Sequence, residues 1–187
     1  MAVAPISKPV PAMIGTIFGG VWALIAVMAL PPSWRFPMAP LAGMPTIIFV
    51  VRHWRASPAP SPEGRLLSRK SYQIALGVEI AAICVASAML PRVGLQSYFI
   101  EVLGIIVGLH FIGLWHATRS KRFLWIAAGM CIASAFAIAL PAALGSLHLR
   151  DAATGLANAL VLWFGASRSG RYWGTPDIGV GVNPNAA

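Results

Sequence analysis

Six apolar runs, each near the length of a bilayer crossing and separated by short basic gaps, constrain this chain more than any other feature. They fall at residues 12–30, 38–54, 71–91, 96–118, 123–145 and 149–168. A helix that crosses the hydrocarbon core uses about 20 residues, so six would take about 120. The remainder of a 187-residue chain has no room for a soluble catalytic domain. Composition agrees: 58% of residues are hydrophobic and 10% charged, against about 25% charged in soluble domains. The expectation is an all-α polytopic membrane protein. Residues 1–168 would form one transmembrane bundle of six helices, and 169–187, rich in Gly, Pro and Asn, a flexible cytoplasmic tail.

Five of the six runs are long enough to span, and the second stands apart. Pro37, Pro40 and Pro45 crowd it, and its apolar stretch from Leu41 to Val51 is 11 residues long. It is expected to be a short span or a re-entrant element buried by its neighbours, with five spans as the alternative. Trp34 and Trp54 bracket it as interfacial aromatics do, which favours six. Trp115, Trp125 and Trp163 fall toward predicted cytoplasmic helix ends, where they are expected to act as anchors. The first run, Met13 to Leu30, is long for the apolar core of a signal peptide. It ends in Ala-Val-Met-Ala-Leu-Pro-Pro without a small-x-small cleavage pattern, so a retained helix is expected.

The net charge of +9 comes from 14 Lys and Arg against 5 Asp and Glu. With six spans, eleven of the basic residues share one face: Lys8, Arg52, Arg55, Arg65, Arg69, Lys70, Arg119, Lys121, Arg122, Arg168 and Arg171. Arg35, Arg92 and Arg150 are the three on the other. Basic loops stay on the cytoplasmic side, so both termini are placed in the cytoplasm. Five spans would only exchange Lys8 with Arg35. No basic stripe is interleaved with base-stacking aromatics, so no nucleic-acid partner is expected. The bilayer is the expected partner, together with further copies of the chain or another membrane protein.

Ionisable groups within spans are costly and therefore informative. Glu79 lies eight residues after Ser71 in the third run, and His110 eight residues before Thr118 in the fourth. At 1.5 Å per residue both sit about 12 Å from the inner helix ends. The short connection Arg92 to Leu95 makes these two helices antiparallel neighbours, so a Glu79–His110 pair is geometrically accessible. Thr46, Ser134 and Asn158 lie at comparable depth, and a polar layer around the pair is expected, as at transporter sites. The competing reading has Glu79 protonated and His110 neutral, hydrogen-bonded between helices and fixing the packing alone. Glu101 lies about 180° around its helix from His110, on one face with Gly104 and Gly108. Arg92, His148, Arg150 and Asp151 collect near it at the outer end, where a solvated rim is expected. The pairs Gly104 with Gly108 and Gly15 with Gly19 are small-xxx-small packing contacts.

The sequence lacks HExxH, CxxC, GxxxxGK[ST] and GxSxG patterns, the usual carriers of hydrolytic and nucleotide-driven chemistry. Cys84 and Cys131 lie inside apolar runs and define neither a disulfide framework nor a zinc site. His53 and His116 near inner helix ends do not frame a haem, and no cofactor or metal is expected.

The stretch Ile100–Thr118, IEVLGIIVGLHFIGLWHAT, followed by RSKR and FLWIAAGMCIASAFAIALP, resembles small uncharacterised bacterial multi-pass membrane proteins with a GLHF-containing helix. The resemblance covers about a quarter of the chain. Gly108, Leu109, His110 and Phe111 match the pattern, whereas Ile112, Gly113 and Leu114 stand where members often carry Pro-Leu-Ala. It implies a bacterial inner membrane and supplies no reaction or ligand.

Two functions fit the sequence. The first is a small-solute or proton-coupled permease with Glu79 and His110 as proton-exchanging groups and Asn158 and Thr46 as further solute-binding candidates; Glu101 and Asp151 are secondary polar positions. The second is a non-catalytic scaffold or accessory subunit in which the same pair is structural. An intramembrane enzyme would need Cys84 with His110, but Cys84 lies about 140° around its helix from Glu79.

Overall fold

Within lipid a chain must satisfy its backbone N–H and C=O groups internally, and long apolar runs of Ala, Leu, Ile and Val do so as helices. A computed structural model describes residues 10–55, 70–140 and 146–167, and all of them lie in helices or the short turns between them. The elements are α1 (Val10–Ala29), α2 (Pro32–Arg55), α3 (Lys70–Arg92), a 3₁₀ turn (Gln96–Tyr98), α4 (Phe99–Thr118), α5 (Lys121–Ala139) and α6 (Leu147–Ser167). The expected tail, most of the loop from Arg55 to Lys70 and the last five residues of the fifth run lie outside the described residues.

Helix ends follow local chemistry. α3 closes on Gly94, whose φ of 73° is accessible to glycine at little cost. Leu95 N–H then reaches back to the Leu90 carbonyl at 2.8 Å, satisfying one of the last carbonyls of the helix. α5 ends at Ala139, because Leu140 precedes Pro141 and is forced into extended backbone at φ −67° and ψ 124°.

The doubtful second run is a continuous helix of 24 residues that contains Pro37, Pro40 and Pro45. A short or re-entrant element is not what forms. Each proline removes one N–H from the ladder, yet the turns on either side keep theirs, as membrane helices tolerate. Among the described residues, four helical segments are long and apolar enough to cross a membrane: Pro32–Arg52, Lys70–Arg92, Gln96–Thr118 and Lys121–Ala139. Helices also form at the first and sixth runs, as α1 and α6. The apolar segment Met13–Ala29 of α1 is shorter, and α6, which carries Arg150, Asp151 and Asn158, is not among the four.

The helix that carries Arg150, Asp151 and Asn158 is the most enclosed. α6 packs along α1 and α5 and touches α4 and α2, so protein rather than lipid surrounds its polar side chains. Its partner α1 runs antiparallel to it: a Cβ on Gly15 would approach Ala166, one on Gly19 Trp163, and Gly155 abuts the Trp22 and Ala26 backbone. α5 runs antiparallel to both α4 and α6, through Gly108 against Cys131 and Gly129 against Val161. α2 flanks α1 and α3 flanks α4, so these two helices lie at the margins of the array. The core joins Trp22, Ala23, Val107, Leu114, Phe123, Ile126, Met130, Ala159, Leu162 and Trp163. Trp163, expected as an interfacial anchor, is a core residue 5% exposed, seated where Gly19 leaves room. Trp125 is 78% exposed, as an anchor would be.

Candidate functional site

α3 and α4 meet through complementary small residues. A Cβ on Gly113 would lie 2.8 Å from that of Ala75, so the two backbones approach closely near the start of α3 and the end of α4. One turn deeper, Glu79 Oε2 stands 3.2 Å from His110 Nδ1, and their side chains are 12% and 9% exposed. This distance is within ion-pair range, yet the approach lies off the hydrogen-bonding direction. Nδ1 has no aligned hydrogen-bond partner among the described residues. Aromatic rings complete the surroundings. Tyr72 packs edge-on to His110 with centroids 6.1 Å apart, and Phe111 does the same at 6.0 Å. Phe111 in turn stacks on Phe123 at 6.1 Å. Tyr72 was not singled out from the sequence, although it precedes Glu79 by seven residues and so shares its face of α3.

The expected polar layer around this pair does not form. Thr46 lies on α2 against α1, its Oγ1 2.8 Å from where a Cβ on Gly20 would be. Asn158 and Ser134 are both fully buried and joined by a 3.3 Å hydrogen bond from Asn158 Nδ2 to Ser134 Oγ. They pack on Gly104, about 120° around α4 from His110. The body of α4 thus separates them from Glu79. Similar depth along four helices did not imply proximity, because the helices turn different faces to one another.

At the outer end the solvated rim expected for Glu101 and Arg150 is replaced by a buried ion pair. Glu101 is fully buried and Arg150 is 9% exposed. Arg150 Nε donates to Glu101 Oε1 at 2.9 Å, while its Nη2 donates to the Ser97 carbonyl and lies 3.5 Å from Asp151 Oδ1. The guanidinium also covers the Tyr98 ring at 4.4 Å. Thr154 Oγ1 donates to the Arg150 carbonyl at 2.9 Å and sits 3.4 Å from Glu101 Oε1. The cause is the register of α6. Starting at Leu147, it sets Arg150, Thr154 and Asn158 at four-residue intervals on the face that meets α4, where Gly104 admits them. That spacing was the available sequence signal. Asp151 retains a rim position, its side chain 25% exposed.

Other candidates stay apart. Cys84 is exposed on α3 and Cys131 packs on α4, its Sγ 3.8 Å from the Ile105 carbonyl. His116 is exposed, and the His53 side chain lies outside the described residues. Among the described residues no group of three or more His, Cys, Asp or Glu side chains is arranged to hold a metal ion.

No protein-family model, curated protein or solved structure matches the chain.

Proposed function

We propose that this is a six-span protein of a bacterial cytoplasmic membrane in which Glu79 and His110 exchange a proton, in the manner of a small proton-coupled permease. The single observation that carries the reading is the 3.2 Å approach of these two ionisable groups from adjacent helices at membrane depth. An ionisable pair inside a span is retained at a cost, and proton relays are a recurrent use of one.

Six spans are supported by helix directions. α1 is antiparallel to α6, and α6 runs parallel to α4 through the contacts of Glu101 with Thr154 and Gly104 with Asn158. A membrane crossed by α4 and α5 would then be crossed by α1 and α6 as well. This alternation supports a start of α1 on the side of the basic residues Arg52, Lys70, Arg119, Lys121 and Arg122. With Cys84 and Cys131 replaced, a single cysteine at position 4 should label with an impermeant thiol reagent from the same side as one at position 171. Labelling from opposite sides would leave an odd number of spans.

The resemblance of Ile100–Thr118 to small bacterial multi-pass proteins supports the choice of membrane. The marginal position of α3 on the array supports assembly of several copies, since one copy does not surround the pair with helices on all sides.

The test is proton flux into liposomes containing the purified chain. Flux above that of empty liposomes is expected, with a loss of at least tenfold in Glu79→Gln and in His110→Ala. The scaffold reading has its own support, because the pair also ties α3 to α4. It predicts no flux in the wild type and a lowered thermal midpoint in both variants.

A further inference from the structure

The Glu79–His110 contact lies just beneath an apolar surface of the α3–α4 seam, its side chains 12% and 9% exposed. α3 packs along α4 and the 3₁₀ turn, while α5 and α6 occupy other faces of α4. The flanks of the α3–α4 seam are apolar and exposed: Ile74, Val78 and Ile80 on one side, Leu109 and Ile112 on the other. In a bilayer these side chains would meet hydrocarbon, so a ligand would have to part them and reach the pair laterally from lipid. A polar solute would need a hydrated route, yet Thr46, Ser134 and Asn158 lie elsewhere. A phospholipid headgroup is also a poor match. The pair is about 12 Å from the inner helix ends, and among the described residues neither member is paired with the Lys or Arg that a phosphate would call for.

The chemistry inside the seam is specific. His110 Nδ1, in a side chain more than nine-tenths buried, lacks an aligned partner among the described residues and can donate to a carbonyl or accept from a hydroxyl. The Glu79 carboxyl beside it supplies a second acceptor or, when protonated, a donor. Tyr72 and Phe111 present aromatic surface on two sides of the imidazole. Flat rings with oxygen at the edge satisfy all three features together, through ring contacts with the aromatics and a hydrogen bond to the imidazole.

We propose that the α3–α4 seam binds a membrane-dissolved molecule of the quinone class, which enters between Leu109, Ile112 and the apolar flank of α3 and places a ring oxygen on His110. This deepens the proposed function by naming a ligand for the same site. It rests on that pair being the functional centre, but not on proton flux.

The test is equilibrium binding of a radiolabelled benzoquinone with a short alkyl tail to the full chain in lipid nanodiscs, with binding to empty discs subtracted. Saturable binding is expected, weakened at least tenfold by His110→Ala and severalfold by Glu79→Gln. Ile132→Ala, on the exposed face of α5, should bind as the wild type does. Leu109→Trp fills the entrance from an exposed position beside His110, leaves the pair intact, and should also weaken binding at least tenfold. It decides the matter if His110→Ala does not fold. No binding above empty discs, or wild-type affinity in both His110→Ala and Leu109→Trp, overturns the proposal. Binding without proton flux would sink the permease reading alone, and flux without binding would sink this one alone.

Discussion

Arg150→Ala is expected to lower stability by about 3–5 kcal/mol, the range found when one member of a buried ion pair is removed and the other stays behind unpaired. The substitution would leave Glu101, which is fully buried, without its 2.9 Å donor. It would also free the Ser97 carbonyl and the Tyr98 ring, through which α6 holds the connection between α3 and α4. Unfolding of the purified protein in detergent, followed by loss of helical signal on heating, measures the effect. The double variant Glu101→Leu with Arg150→Met should recover most of the loss, since an apolar pair of similar volume avoids the stranded charge. A single Arg150→Ala variant within about 1 kcal/mol of the wild type would mean that water reaches the pair and that the rim is solvated after all.

The second large effect is expected at Gly155. A Cβ there would lie 2.8 Å from the Ala26 nitrogen and 2.9 Å from the Trp22 carbonyl oxygen. Both are backbone atoms of α1, which cannot rotate away as a side chain can, so α1 and α6 must separate. Gly155→Ala should therefore cost about 1–3 kcal/mol, as overpacking of a close-packed interior does. Gly77→Ala is the matched control. Nothing lies within 4 Å of the added carbon, so the change should be neutral or gain up to about 1 kcal/mol from helix propensity. Parallel thermal melts of the two variants separate the packing cost from a general effect of replacing glycine. Equal losses at both positions would contradict the close approach of α1 and α6.

The two predictions probe features of different legibility. That Gly15 and Gly19 mark a helix contact could be read from their spacing, but not that the partner is α6 or that Trp163 fills the space they leave. Glu101 was readable as sharing a face with Gly104 and Gly108, and a face of small residues is the one that approaches other helices. That face was the signal for its burial, but a solvated rim was expected instead, and its partner depended on the register of α6. The approach of Glu79 to His110 was accessible because a four-residue connection fixes α3 and α4 as antiparallel neighbours at one depth. Thr46, Ser134 and Asn158 had matching depth without matching azimuth, and depth alone does not bring side chains together.

The α2 prolines show the opposite error. They were read as leaving a short span or a re-entrant element, yet the helix persists over 24 residues because the adjacent backbone groups have no better partner than the helical ladder. Before Pro141, by contrast, a helix does end, since Leu140 adopts extended backbone.

The sequence by itself determined the all-helical class, the apolar runs and most helix ends, because these follow from residue type within a few turns of chain: hydropathy, proline sterics and the φ > 0 turn at Gly94. It also determined which residues could share a face of one helix. Only the tertiary structure decided which faces meet. It enclosed the polar α6 among α1, α4 and α5, buried Glu101 with Arg150, and left the Glu79–His110 seam at the margin of the array. The physical reason is that lipid and protein interior are nearly equally apolar, so hydropathy does not tell an outward face from an inward one; close packing of small residues and pairing of buried charges do.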